Sequence, residues 1–145
     1  PYTLQTMFIL LSGAFLGARN GAMSQIIYLA LGILGAPVFS MGGFGIAWLQ
    51  GPTGGYLLSF PIAAVVVGYL VQVRRSLSWS LISMACGMTV IFVVGTVQLY
   101  AVVFKNWSEA FTAGFLIFSW WDILKLSAAA MTYHEIAKRW PRLPN

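Results

Sequence analysis

Residues 79–104 run without one charged side chain. Coiled as a helix at about 1.5 Å per residue, that stretch is long enough to cross the ~30 Å hydrocarbon core of a bilayer. Four further apolar stretches accompany it, at about 4–17, 21–34, 56–73 and 120–137. Across all 145 residues 59% are hydrophobic and 8% charged, where a soluble domain carries roughly 25% charged residues. A core of this size cannot hide so many apolar side chains from water, so lipid must be the solvent for the remainder. The pattern predicts an all-α integral membrane protein: a polytopic helical bundle with five membrane helices in this chain, forming a single domain over residues 1–145. The first two stretches are short for full crossings, and Thr3, Gln5 and Thr6 extend the first if they face protein or a watery cavity.

Between the second and third stretches lies a segment rich in glycine and proline, residues 35–55. It reads as a structured loop, re-entrant in one version. Each unsatisfied backbone group in lipid costs several kcal/mol, so irregular backbone at that depth has to line a protein-walled cavity, where ligands are handled. In the connection from Lys105 to Ser119, Ser108 followed by Glu109 is the expected cap and first turn of a short helix. Gly13 with Gly17, Gly17 with Gly21, and Ala128 with Thr132 stand at the spacing by which small residues let membrane helices approach closely. No internal repeat is visible.

The net charge of +5, eight Lys and Arg against three acids, would raise the question of nucleic acid on a soluble protein. Here the basic residues sit between apolar runs, which favours a topological reading and no nucleic-acid partner. Arg19 follows the first stretch, Arg74 and Arg75 the third, and Lys138, Arg139 and Arg142 the fifth. On an alternating path these fall on one side, the cytoplasmic one, with the C-terminus. The other side receives Lys105 alone, together with the Gly-rich loop and the start of the fifth helix. Pro1 is then external, yet the start lacks the basic region of a cleavable signal. One preceding helix is therefore expected, giving six in the intact protein. Cys86 is the single cysteine and supports neither a disulfide nor a zinc site.

Asp122 and Lys125 are the ionisable residues placed early within a long apolar segment. A charge at the centre of a membrane helix costs about 2.5–3.5 kcal/mol, so it usually faces the bundle interior and pairs. Three residues apart, the two project from one face. They make either a local ion pair at the membrane's edge or a solute site, with Lys125 for a carboxylate or carbonyl oxygen and Asp122 for N–H groups. In GPTGGY, residues 51–56, Pro52 fixes one backbone angle. Its glycines either leave main-chain N–H groups accessible to an acceptor oxygen or make a tight turn into the next helix. The segment is not a nucleotide-binding loop, which needs Gly-Lys followed by Ser or Thr. Phe44, Trp48, Tyr56, Trp120 and Trp121 could wall a pocket at the same end, although aromatic residues also collect at membrane interfaces. His134, the single histidine, has no second His or Cys cluster nearby, which argues against a metal site, and no nucleophile stands at recognisable spacing from a base.

On these residues the chain closely resembles the BioY family, the biotin-capturing membrane subunits of energy-coupling-factor (ECF) transporters. The resemblance rests on TLQT at 3–6, GAFLGARNGAMSQIIYLALGILGAPVF at 13–39, GPTGGY at 51–56, AGF at 113–115 and DILK at 122–125. It implies six membrane helices and an outward-facing pocket closed by the loop between the third and fourth of them, corresponding to the Gly-rich segment here. It implies that Asp122 and Lys125 contact biotin, with Thr53, Gly54, Gly55, Tyr56 and Trp48 lining or covering the pocket. A membrane-embedded coupling subunit and two ATPases are the implied partners beside membrane lipids, with biotin as cargo and no cofactor. One departure is the GFLIFSWW that precedes DILK, where the family commonly carries Pro and Gly. Three other functions stay open on the residues alone: capture of another vitamin on the same scaffold, a membrane enzyme using Asp122 as acid or base, and a structural subunit.

Overall fold

The computed structural model describes residues 5–39, 42–51, 54–74, 76–114 and 120–139. Among them the elements are α1 (Gln5–Ile33), α2 (Ile46–Gln50), α3 (Gly54–Leu70), α4 (Leu77–Leu99, continued by a π-helical turn Tyr100–Phe104), α5 (Trp107–Gly114) and α6 (Trp120–Arg139). α1 is broken at Gly17, whose φ of 85° and ψ of 170° suit a residue without a Cβ. In a straight helix residues 13 apart are about 20 Å from each other, yet the Gln25 amide nitrogen lies 3.0 Å from the Ser12 hydroxyl. Gln5 likewise meets Tyr28, 2.5 Å from amide nitrogen to phenol oxygen. The chain therefore folds back at Gly17 into two antiparallel limbs, 5–16 and 18–33, close to the first two stretches read from sequence.

Gly17 is thus a turn as well as a packing residue: a Cβ on Gly68 would lie 2.8 Å from its carbonyl carbon. Gly13 and Gly21 pack too. A Cβ on Gly21 would lie 2.8 Å from the Gly13 Cα, and one on Gly13 would strike the Ala64 carbonyl of α3. Farther along, Gly68 meets Ala18, and Gly87 of α4 meets Val67 and Leu10. Backbones brought this close gain dispersion contacts, which drive helix association where lipid tails are as apolar as leucine.

The surface is inverted relative to a soluble protein. Phe8, Leu58, Ile62, Ile82, Val93 and Val97 are exposed, while Gln25, Ser59, Ser83, Thr96, Asp122 and Lys125 are buried. The buried hydroxyls donate into their own helices, Ser83 to Trp79 O at 2.8 Å and Thr96 to Phe92 O at 2.7 Å. No water is needed to satisfy them. Of the described helices, Leu77–Val103 is long and apolar enough to cross a membrane by length and composition, with mean hydropathy 2.0, and Gly54–Leu70 is apolar but shorter. The limbs of α1 rise about 18 and 24 Å. Helix length alone therefore does not establish five crossings.

Element ends fall within a few residues of expectation, with α3 starting at Gly54 and α4 at Leu77, capped by Ser76. The cap of α5 differs: Asn106 Oδ1 accepts from Ser108 N at 2.9 Å, so Ser108 lies inside the helix and Asn106 caps it. The Gly-rich segment is ordered where described. Phe39 N donates to Gly43 O at 3.0 Å, and Gly45 N to Gly32 O at 2.6 Å. The Tyr28 hydroxyl donates to Val38 O at 2.6 Å.

Candidate functional site

The antiparallel path brings the heads of α1, α3 and α6 and the tail of α4 to one end of the bundle, under the Gly-rich segment. The opposite end gathers Arg19, Arg74, Lys138 and Arg139. Ala18 packs on Gly68 there, Trp79 Nε1 donates to Leu70 O, the Arg74 guanidinium lies 5.8 Å from the Trp79 ring centroid, and Lys138 lines a cavity with Ser80.

At the head of α6, Lys125 retains only 3% of its surface and Asp122 9%. The Lys125 ammonium lies 3.3 Å from Asp122 Oδ1 and donates to Thr6 Oγ1 at 2.8 Å. Both members of the pair read from sequence are therefore inside the bundle and in contact, as spacing on one helical face requires. Such a pair is stable only with its polar atoms satisfied. Thr6 supplies one acceptor from a helix 119 positions away. An ammonium has three N–H donors; Thr6 Oγ1 and Asp122 Oδ1 lie within reach of two of them, and a third donor of this kind suits a ligand oxygen.

Thr6 was not among the site residues read from sequence. Its signal was the polar group Thr3, Gln5, Thr6 heading an apolar run, but nothing local says that Thr6 turns toward α6 and Gln5 toward Tyr28. Met7 and Leu126, chain neighbours of Thr6 and Lys125, pack on the same cluster as Tyr56. Tyr56 also touches the neighbouring cluster of Phe39, Leu49, Leu57 and Phe60, which Trp48 joins. Tyr56 thus joins the two hydrophobic clusters, its ring edge-on to Phe92 at 6.3 Å and against Gly95. Trp48 packs over Gly43, on the cluster that meets the other through Tyr56. Phe44 is exposed and Trp121 half-buried. Thr53 and the Trp120 side chain lie outside the described residues.

The glycines of the segment act through packing. A Cβ on Gly54 would strike the Leu49 carbonyl, and one on Gly55 would strike Gln98 of α4. The Gly54 amide donates to Gly51 O at 3.1 Å, closing the turn into α3. Gln98 reaches through this close approach and donates from Nε2 to Leu49 O at 3.2 Å. It ties α2 to the tail of α4. Gln98→Leu is expected to raise amide hydrogen exchange in 46–51 several-fold, from the loss of about 1 kcal/mol of hydrogen bonding, with exchange in the middle of α4 unaltered. Equal protection in parent and variant would mean that Gln98 does not hold the segment. A separate groove of about 450 Å³, lined by Gln5, Phe8, Gln25, Tyr28 and Phe39 among others, opens between the limbs of α1.

Residues 1–142 match the model of the BioY family. A biotin transporter BioY from Thermotoga maritima is 38% identical over 138 residues, covering 95% of this chain and 81% of the relative. A probable biotin transporter BioY from Pyrococcus horikoshii is 40% identical over 131 residues, covering 90% and 76%. Among solved structures, the S-component for biotin from an ECF-type ABC transporter aligns with a TM-score of 0.86 at 25% identity, over 93% of this chain and 74% of the other.

Proposed function

The chain belongs to the BioY family, and on that premise we propose that it captures biotin for uptake across the cytoplasmic membrane as the substrate-specific component of an ECF-type transporter. The observation that carries the reading at residue level is the buried Asp122–Lys125 pair braced by Thr6. The family is a solute-binding transporter component and not an enzyme, so Asp122 has a binding task.

Biotin's ureido ring offers two N–H donors and a carbonyl, its thioether ring is apolar, and its tail ends in a carboxylate. Asp122 accepts from the ureido N–H groups. Lys125 donates to an oxygen, either the ureido carbonyl or the tail carboxylate. Thr6 and Asp122 together hold the ammonium in place, so little side-chain freedom is lost when the ligand arrives. Tyr56 and Trp48 give the apolar ring a wall, and the segment 35–55, with Thr53 at its end, covers the pocket. Gly54 and Gly55 set how closely that cover meets α3 and α4.

Residues 1–145 form one domain with five crossings, the limbs of α1 counting as two. The end holding Arg19, Arg74, Lys138 and Arg139 is cytoplasmic, supported by the excess of cations there over the solute end. Energy comes from partner chains, a membrane coupling subunit and two ATPases.

Specificity is the test that separates this reading from capture of another vitamin. A hundredfold excess of unlabelled biotin is expected to displace labelled biotin from the intact protein in detergent, while equal excesses of thiamine or riboflavin leave it bound. Equal displacement by the three would refute biotin as the dedicated ligand.

A further inference from the structure

At the basic end the described residues enclose a cavity of about 210 Å³ between the first turn of α4 and the last turns of α6, lined by Ser80, Tyr133, His134, Ala137 and Lys138. We propose that this cavity seats the phosphate group of an anionic phospholipid. It lies outside the solute site, at the other end of the bundle, and the proposal does not depend on biotin being the solute.

Charge is the first argument. Lys138 lines the cavity and supplies its positive charge, Arg139 follows Lys138, and Arg74 is held at the same end over Trp79, while the His134 ring on the wall adds an N–H donor. The acid among the described residues of this end is Glu135, on an exposed part of α6. Donor chemistry is the second. Ser80 is 2% exposed, placing a hydroxyl inside the cavity wall one turn into α4. The helix start there adds a positive dipole end that favours an anion. Lys138 is exposed, so its ammonium is reachable from the headgroup layer. Basic pockets between membrane helices are the kind of site that holds acidic headgroups.

The flank decides between a lipid and a free anion. Leu77, three residues before Ser80 and on the same face of α4, is 38% exposed, and Ile136 on α6 is 40% exposed. Acyl chains gain apolar contact on these side chains. Inorganic phosphate gains none.

Native mass spectrometry of the intact protein is the test. Parent protein is offered dioleoyl phosphatidylglycerol, dioleoyl phosphatidylcholine or inorganic phosphate at equal concentration. Phosphatidylglycerol is expected to be retained at least about fivefold over phosphatidylcholine, with phosphate failing to displace it, since each cation near an anionic headgroup contributes a factor of about five. Lys138→Ala and His134→Ala, made singly, should each lose most of that preference while binding biotin as the parent does. Equal retention of the two lipids would overturn the proposal. So would a preference that survives both substitutions, or displacement by inorganic phosphate, which would make the cavity a free-anion pocket.

Discussion

Lys125→Ala is expected to weaken biotin binding about thirtyfold or more. Truncating one partner of a buried, hydrogen-bonded charged contact costs about 2–5 kcal/mol, and 2 kcal/mol is roughly thirtyfold. The substitution also leaves Asp122, 9% exposed, as a buried carboxylate without its ammonium, so thermal stability should fall as well. A double change separates the two effects. Lys125→Met with Asp122→Leu removes both charges and fills the volume, and replacing a buried ion pair by apolar residues is often neutral or stabilising. The double variant should therefore regain thermal stability without regaining biotin. If it binds biotin within threefold of the parent, the pair is architectural and the ligand contacts lie elsewhere.

Gly13→Val carries the largest expected effect on folding. A Cβ at this position meets the Ala64 carbonyl oxygen and Cα, backbone atoms that cannot rotate away, while Gly21 presses on Gly13 from the other limb. Accommodating a branched side chain requires α3 to move from α1, which separates Ile9, Leu29 and Phe60 in one cluster and Leu10 and Val67 in the other. Overpacking of this kind costs about 1–3 kcal/mol and occasionally more; here both sides are backbone, so the upper end or beyond is expected. Size-exclusion chromatography in mild detergent should show loss of the monodisperse peak, and Gly13→Ala a smaller loss. A Gly13→Val protein as monodisperse and heat-resistant as the parent would contradict the close approach of α1 and α3. Gly17→Val would fail for a different reason, since its φ of 85° is a backbone conformation that a β-branched residue resists.

Much of the bundle was legible because its signals are local. The apolar run 79–104 corresponds to α4 and its π-helical turn, the loops between runs collect the cations, and two charges three residues apart in an apolar helix must share a face and pair. What escaped depends on distant contacts or on signals with two meanings. Glycines at spacing four read alike whether they pack helices or break one, so the turn at Gly17 stayed hidden behind its packing spacing with Gly13 and Gly21. Asn106 and Ser108 are both good caps, and choosing between them needs the backbone of the preceding π-helical turn, where Lys105 is left-handed at φ 53°. The Thr6 brace on Lys125 and the Gln98 tie to Leu49 join residues far apart in sequence. Each is a polar side chain in an apolar run, which announces that a partner exists but not which one.

The measurement that tests the central claim most directly is equilibrium binding of labelled biotin to the intact protein in detergent, parent beside Lys125→Ala, with monodispersity checked for both. Saturable one-site binding by the parent that the variant loses by about thirtyfold or more is the predicted result. A well-folded parent that binds no biotin, or a variant that binds as tightly as the parent, would contradict it.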